Sequence, residues 1–150
     1  MDTVTYPNPA VVEFIEKTMI PIQVAYNDQP LARDFNIQWT PTLITLDSDG
    51  KEHHRTIGFL SPQELIPSLM LGMAKCHFDF EQFEKAIPLL EELLSKYPQS
   101  DSTPEAIYLR GVSRYKHTHD AKMLKDVYEK LQKDYPSSEW TKRASPYRLL

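Results

Sequence analysis

Four groups of side chains have the types and spacing that chemistry would need. His117-Thr118-His119-Asp120 sets two imidazoles beside a carboxylate, donors of the kind that hold a transition metal. All of them are close neighbours in sequence, and a polar turn between two helices accounts for the same residues; the turn is the expectation, with no metal. His53 and His54 are neighbours in a β-rich run, so strand alternation sends them to opposite faces and keeps them from sharing one ion. Both are expected at the surface or half-buried. Cys76 is the sole cysteine, which leaves no internal disulfide, no Cys-x-x-Cys redox pair and no multi-cysteine zinc site. It sits mid-helix and is expected as a packed or half-packed thiol. Asp47 and Asp49 suggest acid–base work or calcium, but a hairpin turn explains both, and the other ligands of a calcium loop are missing.

Composition narrows the field further. With 150 residues, the chain has the length of one domain or two small fused units. A hydrophobic fraction of 41% with 25% charged residues is that of a folded soluble protein. A net charge of −4 argues against nucleic acid, whose readers carry a basic stripe. Four scattered glycines make no phosphate-cradling loop. No apolar run reaches the roughly 18 residues of a bilayer span, and no charged segment followed by an apolar one opens the chain. The expectation is a cytoplasmic protein without cofactor, membrane or nucleic-acid partner.

Two kinds of element must position whatever the chain uses. From Asn8 to Phe59 the signals mix helix and strand. Asn8-Pro9 starts a helix carrying Val11, Val12, Phe14, Ile15 and Met19. Ile20–Tyr26 reads as a strand with Pro21 at its start, and Asp28-Gln29-Pro30 opens a short helix. After Trp39-Thr40-Pro41 comes the β-rich run Thr42–Leu46, then the Asp47–Gly50 turn, then a returning arm from Lys51 to Gly58. From Ser61 onward the periodicity is helical throughout. Ser61-Pro62-Gln63-Glu64 combines a capping box with proline at the first helical position. Further helices are expected over about Asp79–Lys96, Thr103–Lys116 and Asp120–Asp134.

These helices repeat. Leu90, Leu93, Tyr97, Pro98, Ser100 and Thr103 recur 38 residues later as Tyr128, Leu131, Tyr135, Pro136, Ser138 and Thr141, and Gly72 and Gly111 hold similar places. A period of this length implies stacked helix–turn–helix units. The stretch Met70–Pro136 resembles the tetratricopeptide repeat family, with matching positions Met70/Tyr108, Ala74/Val112, Ala86/Leu124, Leu90/Tyr128 and Pro98/Pro136. Leu124 stands where the family places a small residue.

The first half resembles the C-terminal two-thirds of a thioredoxin-like domain. Thr40-Pro41-Thr42, the Leu43–Leu46 strand, the Asp49-Gly50-Lys51 turn and Gly58 before Ser61-Pro62 carry that resemblance, over about Tyr6–Gly72. It implies a cis peptide at Thr40–Pro41 and marks Trp39, Thr40 and Pro41 as the cis-proline region. The family's central strand and Cys-x-x-Cys helix start would precede Asn8, where only Met1–Pro7 stand. Without that strand, Ile20–Tyr26 and Thr42–Leu46 carry unpaired backbone groups. Three outcomes follow: the two strands pair directly, a strand is donated across a homodimer, or the chain is a piece of a longer protein. The third is favoured, because a buried sheet rarely loses its centre.

The expected fold class is therefore α+β and rich in helix. A partial thioredoxin-like α/β unit (residues 1–60) leads through a shared helix (61–78) into tetratricopeptide-like repeats with a short closing helix (79–150). The expected function is a non-catalytic protein-binding scaffold that takes a protein or peptide on the concave face of the repeats. By family register that face offers Leu71, Lys75 and Phe78, then Leu109, Ser113 and Lys116. The alternative is the C-terminal part of a thiol–disulfide oxidoreductase whose redox motif lies upstream. No redox pair lies within the chain itself.

Overall fold

A computed structural model describes residues 1–150. Helix α1 (Pro9–Thr18) begins where Asn8 accepts the Ala10 N–H at 3.0 Å and Pro9 takes the first helical position. Helix α2 (Gln29–Asp34) is a turn and a half. Strands β1 (Thr42–Leu46) and β2 (Glu52–Ile57) form a two-stranded antiparallel hairpin. Its turn is tied by Asp47, whose Oδ1 accepts the Asp49 and Lys51 N–H groups at 2.9 Å each, with Gly50 at φ +80°. Thr40–Pro41 is cis, as the resemblance implied.

Five helices follow: α3 (Pro62–Asp79), α4 (Phe83–Lys96), α5 (Thr103–Thr118), α6 (Lys122–Asp134) and α7 (Glu139–Ala144), then a 3₁₀ turn over Ser145–Leu149. Each packs on its sequence neighbours, as stacked helical pairs require. One core joins the two halves: Val11 of α1 packs with Leu65, Ile66, Met70, Leu71 and Ala74 of α3, Leu90 and Leu93 of α4, and Ala106 of α5. The N-terminus is tied in as well, since the buried Thr5 hydroxyl donates to the Leu60 carbonyl at 2.6 Å. Ile107, Val127, Leu131 and Ala144 build a second, smaller core.

The recurring Tyr-Pro-x-Ser-x-x-Thr phrases have a physical cause. Thr103 Oγ1 donates to the Tyr97 carbonyl at 2.8 Å, and Thr141 Oγ1 donates to the Tyr135 carbonyl at 2.5 Å. In each case a threonine of the next helix gives the helix-end carbonyl a second donor, beside the N–H of Ser100 or Ser138. The two phrases also touch, because the Tyr135 hydroxyl donates to the Pro98 carbonyl at 2.9 Å.

Three expectations need correction. Ile20–Tyr26 is extended but pairs with nothing, and all seven residues are exposed. A strand needs a neighbour, and β1 bonds only to β2. In the repeats, burial sets Gly72 against Gly111 and Ala74 against Ser113, a spacing of 39, while Ala86/Leu124 and Leu93/Leu131 keep 38. One residue is lost around the second turn, so Met70/Tyr108 and Ala74/Val112 are each displaced by one. Finally, His53 and His54 do not part company across the sheet. The register passes from Thr45↔His54 to Leu46↔Glu52, so His53 is the extra residue of a bulge, and both imidazoles reach α3.

Candidate functional site

The hairpin lies on one stripe of α3, formed by Ser68, Gly72, Lys75 and Asp79 at helical spacing. Gly72 is where the two approach most closely. A Cβ there would come within 2.4 Å of Thr45 Oγ1, which only glycine permits. His54 Nε2 lies 3.2 Å from Ser68 Oγ, and Thr56 Oγ1 lies 3.0 Å from the same hydroxyl. Lys75 Nζ stands 3.4 Å from His54 Nδ1 and donates to Glu105 of α5 at 2.8 Å. Burial and the Lys75 charge hold His54 neutral by taking its pKa down to about 4, against a smaller pull from Glu52.

At the far end of the stripe His53 is buried between two carboxylates. Its Nδ1 is 2.6 Å from Asp79 Oδ2 and its Nε2 is 3.0 Å from Asp47 Oδ2, with the Phe80 ring beside it. Burial lowers its pKa, but the hydrogen bonds to Asp47 and Asp79 and their charges raise it by more, so the imidazolium is favoured. Asp47 in turn is held below its ordinary value, chiefly by the His53 hydrogen bond and then by the Lys51 N–H. Cys76 lies in the same field: burial first, then Asp47 and Asp79, push its thiol up, the opposite of what a reactive thiolate needs.

Of the residues expected to line a concave groove, Leu71 is 1% exposed and Ser113 0%, so neither is accessible to a partner. Leu71 is a core residue, and the Ser113 hydroxyl is spent on the Leu109 carbonyl at 2.8 Å. Lys75 is engaged by Glu105 and His54. Phe78 packs edge-on against Phe83, Leu109 packs against the larger core, and only Lys116 is fully exposed. The hairpin itself covers the first-repeat stripe that the groove would have used. His117 is exposed in the last turn of α5, and His119 caps that helix in the left-handed region at φ 60°.

The exposed apolar residues collect elsewhere. Ile20 is 88%, Ile22 80%, Val24 45% and Tyr26 76% exposed, and Trp39 is 68% exposed. Tyr26 and Trp39 share an open pocket of about 280 Å³ with Ile37, Gln38 and Thr40, on the chain leading into β1. The outer edge of β1 has no strand beside it.

The pattern of known families settles the parts. A thioredoxin-like domain matches residues 3–70, and the tetratricopeptide repeat matches twice, over 68–100 and 105–138. The chain joins a thioredoxin-like domain to two tetratricopeptide repeats. No curated protein matches it, and neither does any solved structure. The two matches overlap inside α3, the helix that packs on the hairpin and on α4. In the thioredoxin-like part, Trp39 and Thr40 line the Tyr26 pocket, and Pro41 follows them into β1. No helix is long and apolar enough to cross a membrane.

Sequence reasoning missed the His53 clamp and the exposure of 20–26. The second carried no signal, since Ile-Pro-Ile-Gln-Val-Ala-Tyr is composed like a strand whether or not a neighbour is present. The first had one. Asp47 opens the hairpin turn, His53 follows it and Asp79 closes a helix, and an unequal count of residues across the hairpin would have revealed the bulge.

Proposed function

We propose that this chain is a non-catalytic protein-binding module, and that its thioredoxin-like part binds by strand exchange with a second copy. The observation that carries the proposal is the exposed run Ile20, Ile22, Val24 and Tyr26 in a chain whose β1 has an unpaired outer edge. Single exposed hydrophobics are ordinary, but a contiguous apolar stretch marks an interaction surface. Each copy offers the open outer edge of β1 and one unpartnered apolar segment of β-forming residues. In a two-fold pair, residues 20–26 of one copy would add to β1 of the other, and both sets of backbone groups would be satisfied at once. The tetratricopeptide repeats support the protein-binding half of this reading. On them, Phe78, Leu109 and Lys116 are the expected groove positions that remain in part accessible.

Sedimentation over a range of concentrations tests the pairing. The natural chain should form a dimer, and Ile22→Asp with Val24→Asp should make it monomeric without altering its helical content. A natural chain that stays monomeric at hundreds of micromolar refutes strand exchange. The match over 3–70 also favours a second reading, that these residues are the C-terminal part of a thiol–disulfide oxidoreductase. A cysteine pair in the parent reading frame, next to Met1, would decide for it.

A further inference from the structure

The crevice between α5 and α6 holds a cation with no direct ion-pair partner. Arg110 is half-buried, yet it takes part in no ion pair and donates no hydrogen bond. It lines a cleft of about 50 Å³ with Arg114, Met123, Asp126, Val127 and Lys130. Three cations therefore meet one carboxylate there, in a chain whose net charge is −4. The remaining charges are engaged at the surface: Arg114 with Glu91 of α4, Asp126 with Lys122 at 3.2 Å, and Lys130 with Asp134 at 2.6 Å. Exposed pairs of this kind are weak and exchange readily. Burial, and then the neighbouring Arg114, lower the Arg110 pKa, with Glu91 opposing, as befits a guanidinium that has lost water and gained no carboxylate.

We infer that this cleft is a binding site for a carboxylate presented by an acidic peptide segment of a partner protein. A guanidinium fork matches a carboxylate in two parallel hydrogen bonds, and a second arginine and a lysine at the rim add charge of the same sign. The size suits a small head group: the cleft has room for a few waters at roughly 10–15 Å³ each, and is far below the about 300 Å³ of a small-molecule pocket. The floor is fixed by close packing, since a Cβ on Gly111 would meet Val127 Cγ2 at 1.8 Å. Arg114 lies nine residues along α5 from Glu105, half a revolution round the helix. The site therefore faces away from the Lys75–Glu105 pair and is independent of the open edge of β1.

The test uses the full chain and a fluorescein-labelled hexaglutamate peptide, followed by polarisation at low and at 150 mM salt. Saturable binding is expected, weakened about tenfold or more by Arg110→Gln, the loss appropriate to a charged hydrogen-bonded pair. Lys125→Gln, an exposed cation on α6 outside the cleft, should leave it unchanged. Equal losses in the two variants would mean that the peptide reads only diffuse charge, and would overturn the site. So would an absence of saturation. Inorganic phosphate is the second arm: if phosphate shifts the Gly111 amide signal in the natural chain but not in Arg110→Gln, while the peptide does not bind, the assignment to a peptide carboxylate is wrong. Unaltered thermal midpoints in both variants keep these outcomes free of folding effects.

Discussion

Replacing Gly72 by alanine tests whether the hairpin is held against α3 by contact rather than merely near it. In an exposed helix interior the change should stabilise by about 1 kcal/mol, because alanine loses less backbone entropy than glycine. Here the new methyl would sit 2.4 Å from Thr45 Oγ1, 3.0 Å from Thr45 Cβ and 3.3 Å from His54 Cβ. Thr45 is β-branched and fixed in a strand, so it cannot turn its side chain aside, and the hairpin must lift. Overpacking of this kind costs ~1–3 kcal/mol, and the stiffness of the obstacle places it toward the upper part of that range. The net expectation is a loss of about 1–2 kcal/mol, a fall in Tm of roughly 2–8 °C for a chain of this length. Thr45→Ala removes the nearest atom, and in the Gly72→Ala background it should recover much of the loss. Urea unfolding of the four proteins of the cycle measures both terms. A Gly72→Ala variant more stable than the natural chain, or a cycle with no coupling, would show that α3 and the hairpin do not press on one another.

Three further outcomes follow from the same geometry. His53 has a raised native pKa, so its stabilisation is complete below the ordinary value of 6.5 and is lost as pH rises through the native value. Urea midpoints should fall on that alkaline side in the natural chain and stay flatter in His53→Gln. His54 has the opposite sign: with a native pKa near 4, its contribution is present above 6.5 and is lost as pH falls from there toward 4. Its imidazole signals should remain those of the neutral ring at pH 5.5 by NMR, and His54→Gln should remove the acid-side loss. Thr141→Val removes one of two donors to the Tyr135 carbonyl, the Ser138 N–H at 3.0 Å remaining, and should cost about 0.5–1.5 kcal/mol by thermal unfolding. An unchanged midpoint would mean that the repeated threonine is not a latch between units.

The helices were legible because their signals are local. Asn8-Pro9 and Ser61-Pro62 mark helix starts that the structure places within one residue, and the Tyr97/Tyr135 phrases announce a repeat whose hydrogen bonds close within six residues. The hairpin turn was equally plain, since Asp47 bonds to residues two and four positions on. What failed depended on distant partners. Residues 20–26 have strand composition, but no sequence rule reports whether a neighbouring edge exists. Ser113 fell on the expected groove because the second-repeat register is one residue off, Ser113 standing against the buried Ala74, and Leu71 did so because its place in the larger core is a tertiary fact. The His53 clamp joins residues 6 and 26 positions apart through a bulge, and alternation alone predicts the wrong face. Arg110 reads in sequence as one more charge on a helix; its isolation appears only when Glu91 is seen to serve Arg114 instead.

Helix α3 gives Ser68, Gly72, Lys75 and Asp79 to the hairpin and Met70 and Ala74 to the core shared with α4. With both flanks engaged, it has no freedom to roll: a turn of even one residue, about 100°, would unseat both neighbours together. A load arriving on the strand edge is thereby delivered to the repeats as torque on a common axle, with no hinge between to absorb it.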